Sequence, residues 1–193
     1  MIVDGITGIL LILLFIAIIF VLSYSASQNT HRLTGKALST LSDSFEIFEN
    51  VKLKAEGSKS FIIDYVVMNK KGIYLVKVED RKGTITGDEA KAKWKESIKT
   101  NTEEFDNPIK NILLIINTMK NELDGVASKI PMYPIVVFHR NANLTNLFTD
   151  ALAVTVDEIK AYIKNDEEVI SNKQFDKLKK KLILMGQLKT HVA

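Results

Sequence analysis

Three ionisable residues sit where strands ordinarily carry apolar ones. Asp64 lies in the run FIIDYVVM, and Lys77 and Glu79 lie in the run GIYLVKVE. The two runs flank the polar turn Asn69-Lys70-Lys71-Gly72 and read as a β-hairpin spanning Phe61 to Ile85. Charge on a buried strand is costly, so it calls for a chemical or structural reason. Lys77 and Glu79 are two residues apart and share one side of their strand, with Val76 and Val78 on the other. A two- or four-residue connection pairs Asn69 with Gly72 or Met68 with Ile73, which is the same register. Asp64 then faces Lys77, with Cβ atoms about 4.5–5.5 Å apart and Glu79 on the diagonal at roughly 7–8 Å. A bulge at Gly72 slips the register by one and sets Asp64 opposite Val78. The first register groups the three charges on one face and is the one expected. Two chemistries then compete. Asp64 and Glu79 could converge on a hard cation, with Lys77 beside the attacking water. Alternatively, Asp64 and Lys77 neutralise each other as a structural ion pair.

The elements that must position these residues follow from periodicity. Leu33, Ala37, Leu38 and Leu41 repeat at helical spacing in His31 to Leu41. FEIFENVKL, Phe45 to Leu53, alternates as a half-buried strand, and Glu56-Gly57-Ser58-Lys59 turns the chain. After the hairpin and the turn Asp80-Arg81-Lys82-Gly83, a short strand at Thr84 to Gly87 pairs with Lys93 to Ile98 around Trp94, which reads as a packing residue. A loop then leads to Asp106-Asn107-Pro108, which opens a helix to about Leu123, with Gly125 as its stop. Pro134 to Phe138 reads as a strand buried on both faces, and His139-Arg140 as its polar end. Val154-Thr155-Val156 is one more short strand. Asp157 caps a helix to about Lys164. Ser171 with Gln174 forms a capping box for a last helix carrying Phe175, Leu178, Leu182, Met185 and Leu188. The lysines of that segment (Lys173, Lys177, Lys179, Lys180, Lys181 and Lys189) read as a solvated face, or as a contact for nucleic acid or anionic lipid.

This arrangement resembles a known family. Ile63-Asp64, Gly72-Ile73, Lys82-Gly83-Thr84-Ile85, Trp94 and Asn107-Pro108, with Gly35 upstream, are similar to the framework of the nuclease-related domain (NERD) family of the PD-(D/E)xK nuclease superfamily. The resemblance covers roughly Leu33 to Leu144. It implies an α-β-β-β-α-β core, a site at Asp64, Lys77 and Glu79, and Mg²⁺ or Mn²⁺ as the ion of an active member. A membrane anchor before such a domain is common in the family. The chain departs from the pattern in its charges. Gly-x-x-Gly-Glu of the first helix becomes Arg32-Leu33-Thr34-Gly35-Lys36, the expected Glu-x-Lys is exchanged to Lys77-Val78-Glu79, and Asn111 stands for a glutamine. Two lysines near the site disfavour a divalent ion.

Composition bounds the rest. The chain has 193 residues, 46% hydrophobic and 25% charged, with a net charge of +3. This is globular composition and only mildly basic, so contact with nucleic acid or anionic lipid is permitted rather than demanded. No cysteine is present, which excludes thiolate catalysis and disulfides. The three histidines, His31, His139 and His191, are far apart in sequence and do not suggest a histidine-built metal site. Ile6 to Leu22 carries no charge and would span about 26 Å as a helix, close to a bilayer core. A cleaved signal peptide is the rival reading, but it wants a basic leader, and Met-Ile-Val-Asp-Gly is not one. Arg32 and Lys36 follow the run and no basic residue precedes it, which puts the N-terminus outside and the C-terminal domain in the cytoplasm.

The expected architecture is therefore α/β: a restriction-endonuclease-like α-β-β-β-α-β core with a mixed sheet, preceded by one transmembrane helix and followed by C-terminal helices. Residues 1–25 form the anchor, 26–32 a linker, 33–150 the nuclease-related domain and 151–193 a C-terminal helical segment. The expected function is a catalytically degenerate binding or scaffold module at the membrane, with nucleic acid as a candidate ligand. The alternative is a metal-dependent phosphodiester nuclease with an exchanged Lys-x-Glu motif, in which Asp64 and Glu79 hold Mg²⁺ or Mn²⁺ and Lys77 serves the water.

Overall fold

The computed structural model describes residues 5–54, 60–123, 130–163 and 168–189, with side chains for all of these but 5–6, 20–29 and 187–189. The expected turn at Glu56 to Lys59 and the helix stop at Gly125 lie outside the described residues. The described residues form a mixed α/β structure with two sheets. The larger has six strands in the order β10 (Gln187–Lys189), β1 (Glu46–Lys54), β2 (Ser60–Met68), β3 (Ile73–Glu79), β7 (Met132–Phe138) and β9 (Leu152–Thr155). From β10 to β3 the pairs are antiparallel; from β3 through β7 to β9 they are parallel. The smaller sheet holds β6 (Asn101–Asp106), β5 (Lys93–Ile98), β4 (Thr84–Asp88) and β8 (Asn143–Phe148).

Helices cover both faces of the large sheet. On one face α2 (Pro108–Glu122) and α4 (Asn172–Met185) bury Ile112, Ile116, Met119, Leu178 and Leu182 against Phe48, Ile63, Val66 and Leu75. On the other, α1 (Gly5–Ser39) and α3 (Ile159–Tyr162) bury Leu38 and Ile159 against Ile47, Tyr65, Val67 and Val76. A third cluster joins the small sheet to the large one through Ile85, Trp94, Phe105, Val136 and Phe138. Trp94 is fully buried and donates from its indole nitrogen to the Asp88 carbonyl, so its expected packing role is met. The caps of the two long C-terminal helices form as their sequences require. Asn107 accepts from the Ile109 and Lys110 amides, and Ser171 and Gln174 close a capping box.

Several sequence expectations change. The polar stretch from Ser23 to Thr30 is helical rather than a linker, and α1 runs unbroken for 35 residues. Small polar residues tolerate a helix when the turns on either side are already formed. The loop expected before Asp106 contains β6, a polar strand of low β propensity held by pairing with β5. Strand β8 was not expected for the same reason. Helix α3 is one turn long and its N-cap position is Glu158, not Asp157. Helix α4 ends at Met185, and Leu188 belongs to the edge strand β10 rather than to that helix. The segment after residue 150 is not a helical appendage, because β9 and β10 form the two edges of the large sheet.

Among the described residues no helix is long and apolar enough to cross a membrane. The expected span, Ile6 to Leu22, lies partly outside the described side chains. Its described part exposes Ile9, Leu10, Leu11, Ile12, Leu13, Leu14, Phe15, Ile16, Ile18 and Ile19, each between 47% and 65% accessible.

Candidate functional site

The hairpin register places the site. Met68 pairs with Ile73, Val67 with Tyr74, Val66 with Leu75 and Tyr65 with Val76. Continuing that register sets Asp64 opposite Lys77, so the expected register holds and the bulged alternative does not. The ladder stops at Tyr65 and Val76, and beyond that point the Asp64 carboxylate takes over from the neighbouring backbone. Its Oδ2 accepts from the Val78 amide at 2.8 Å and from Lys77 Nζ at 3.0 Å.

A backbone irregularity lies beside Asp64. Phe48, Val51, Ile63 and Val66 share one core, whereas Ile47, Tyr65 and Val67 share the other. Strict alternation therefore breaks between Val51 and Phe48 and, across the ladder, between Ile63 and Tyr65. Asn50 stands at the break with φ of 55°, a left-handed conformation that asparagine tolerates better than most residues. Asp64 lies in that break, between Ile63 in one core and Tyr65 in the other, and its carboxylate reaches α1. There Asp64 Oδ1 meets His31 Nε2 at 3.1 Å.

His31 is the residue that sequence reading missed. Its Nδ1 lies 2.8 Å from the Tyr65 hydroxyl, and that hydroxyl reaches the His31 carbonyl at 2.9 Å and Glu49 Oε1 at 3.3 Å. The contact with Asp64 requires a hydrogen on Nε2. Nδ1 then accepts from the phenol, or in the imidazolium donates to it. One residue earlier, the Thr30 hydroxyl donates to Asp80. Burial, with the neighbouring Glu49 carboxylate, pushes the Tyr65 phenol far above its usual range, so it remains a donor. No local motif signals the His31 contact, because it joins residues 33 positions apart through a helix packed across the sheet.

Electrostatics sort the two candidate carboxylates. Burial pushes the Asp64 carboxyl up, but the His31 hydrogen bond, the Lys77 charge and the Val78 amide outweigh it and hold Asp64 below the usual carboxylate range. Burial pushes Glu79 up, and the attraction of Lys77 and Arg81, offset in part by Asp64, leaves it above that range. Among the described residues the Glu79 carboxylate forms no hydrogen bond or ion pair. Arg81 pairs with Glu96 Oε2 at 2.9 Å and stacks 3.9 Å above the Phe105 ring. Glu96 in turn accepts from the Lys82 and Gly83 amides and fixes the turn after β3.

The other singled-out positions stand apart. Lys36 is exposed on α1 with no ion pair among the described residues. Asn111 faces solvent. Arg140 pairs with Asp157 at 3.1 Å, and His139 Nδ1 accepts from the Asn141 amide, so this strand end is a braced turn.

A divalent ion needs carboxylate oxygens that are free to converge on it. Both Asp64 oxygens already have donors, two of them basic side chains, and Glu79 alone is left. Among the described residues no group of three or more histidine, aspartate or glutamate side chains could hold a metal ion. The donor set present does not fit Mg²⁺ or Mn²⁺. What the geometry does is clamp α1 to the hairpin, through His31 to Asp64 and Thr30 to Asp80.

A model of the nuclease-related domain (NERD) family matches residues 26–139, more than half of the chain. No curated protein matches it.

Proposed function

The chain belongs to the nuclease-related domain family, and from that premise we propose that it is a catalytically silent member: a membrane-anchored module of restriction-endonuclease-like fold that serves as a binding scaffold, with nucleic acid as its ligand. One observation carries the loss of catalysis. Asp64 is bonded through both oxygens, to His31 on one side and to Lys77 and the Val78 amide on the other. The exchange of Glu-x-Lys to Lys77-Val78-Glu79 is what makes this possible, since a glutamate at position 77 would repel Asp64 rather than neutralise it.

The anchor reading rests on the ring of bare side chains around α1. Ten large apolar residues between Ile9 and Ile19 are at least 47% exposed. No polar stripe runs along that stretch, and a soluble surface helix would show one. Arg32 and Lys36 immediately after the run support a cytoplasmic domain. Nucleic acid would be held through its backbone by the lysines exposed on α4, Lys173, Lys177 and Lys180, away from the closed site. A second reading, a nuclease using Asp64 and Glu79 with Mg²⁺ or Mn²⁺, is favoured only by the unpartnered carboxylate of Glu79.

The full chain in detergent, incubated with plasmid and single-stranded substrates in Mg²⁺, in Mn²⁺ and in chelator beside Asp64→Ala, separates the two. Salt-sensitive binding without cleavage is expected. Metal-dependent cleavage that Asp64→Ala abolishes would overturn the silent reading.

A further inference from the structure

The end of the domain from which α1 leaves is not bare. Thr30 bonds Asp80 and His31 bonds Asp64, so α1 departs past the carboxyl ends of β3 and β7. Three loops gather at the same end. The turn after β3 reaches Gly83, whose carbonyl accepts from the Asn143 amide at the exit of the turn after β7. The tip of the β5–β6 hairpin lies against the same glycine. A Cβ built on Gly83 would come within 2.7 Å of Ile98 Cγ1, and Thr84 pairs with Ser97. Ile98 at that tip is 41% exposed, and Lys99 beside it is exposed with φ of 54°. Among the described residues neither Lys82 nor Lys99 has an ion pair. The acidic neighbour Glu103 sits back along β6, 3.7 Å from Arg81.

We propose that this end is a membrane-contacting surface, in which the β5–β6 tip, Ile98 and Lys99, together with Lys82, rests on the anionic headgroups of the bilayer that α1 enters. The inference rests on the anchor reading given above. The distance supports it. From Leu22, where the apolar run ends, the helix needs only about 12 Å to reach Thr30, against a headgroup layer of roughly 5–7 Å. A domain tied that closely, by a continuous helix, presents this end and no other to the lipid. An apolar side chain flanked by two uncompensated lysines has the chemistry of that boundary, where the aliphatic group sinks and the ammonium groups meet phosphate. Two lysines near an anionic surface bias contact by roughly thirty-fold over a neutral one.

The native chain has no cysteine, so single cysteines report position without interference. The full chain carrying Thr100→Cys, Lys70→Cys or Phe15→Cys would be labelled with an environment-sensitive fluorophore. It would then be reconstituted in nanodiscs of phosphatidylcholine and phosphatidylglycerol brominated on their acyl chains. Loss of fluorescence is expected at position 15 and at position 100 but not at position 70, which lies at the opposite end of the sheet. Replacing the phosphatidylglycerol with phosphatidylcholine, or combining Lys82→Glu with Lys99→Glu, should restore the signal at position 100 and leave position 15 quenched. A quenched position 15 with an unquenched position 100 in anionic discs overturns the contact surface while the anchor stands. An unquenched position 15 overturns the anchor and the contact surface together.

Discussion

Replacing Asp64 with asparagine tests whether the carboxylate is a brace or a vacated ligand. Asparagine keeps the shape and one acceptor for the Val78 amide but removes the charge. Bonds to charged groups are worth about 1.5–3 kcal/mol and neutral ones about 0.5–1.5, so weakening the Val78 bond costs about 1 kcal/mol. Losing the His31 contact costs a similar amount. The Lys77 side chain is 32% exposed against 13% for Asp64, so water screens their pair and its share is below about 1 kcal/mol. Relief of burying a charge offsets part of this total, which leaves a net loss of about 2 kcal/mol. For a chain of this size that corresponds to a fall in Tm of about 4–8 °C. Trp94, the single tryptophan and fully buried, gives the fluorescence readout on the full chain in detergent. Because the folded-state pKa of Asp64 is depressed, its contribution is present above about pH 4, the unfolded value, and is lost as pH falls through the native value. The gap between native protein and Asp64→Asn should therefore close in acid. A cycle with Lys77→Met should give a coupling of about 1 kcal/mol or less. If Asp64→Asn leaves Tm unchanged or raises it, while Mg²⁺ raises the Tm of the native chain, the carboxylate was being held for a cation and the brace argument fails.

Two further outcomes follow from the same contacts. Glu79 binds its proton more tightly in the folded state, so it lowers stability as pH rises from the unfolded value toward the native one. Glu79→Gln should raise Tm at pH 7 and leave it unchanged below about pH 4, as measured by thermal melts across pH, and a lower Tm at pH 7 would contradict this. A Cβ on Gly87 would fall 2.4 Å from the Trp94 indole, which is fully buried and has no free space on that side. Gly87→Ala should cost about 1–3 kcal/mol in denaturant unfolding and shift the Trp94 emission, and an unaltered midpoint would show that the ring can move aside.

Local patterns were enough for much of the fold. The Asn69 to Gly72 turn, the Asn107-Pro108 helix start and the Ser171–Gln174 capping box are each written within a few residues, and each formed where its pattern required. The strands that escaped detection, β6, β8 and β10, are polar or short. Their order comes from a neighbour's hydrogen bonds rather than from their own side chains, so no window of sequence contains the cause. The helical continuity of Ser23 to Thr30 was hidden for a related reason: an apolar run and an amphipathic helix on either side decide the conformation of a polar stretch that has little preference of its own.

The site divides along the same line. Sequence alone narrowed the hairpin to two registers, through turn length and the period of two, and determined that Asp64 and Lys77 meet in the expected one. Asp64 and Lys77 were brought within 3.0 Å as that rule requires. Tertiary structure alone decided what the meeting means. The alternation of the strands breaks at Asp64, and α1 delivers His31 to it from a distance in sequence that no spacing rule covers. A carboxylate has only two oxygens, and once helix packing supplies a donor to the second, the residue that could have held a metal holds a helix.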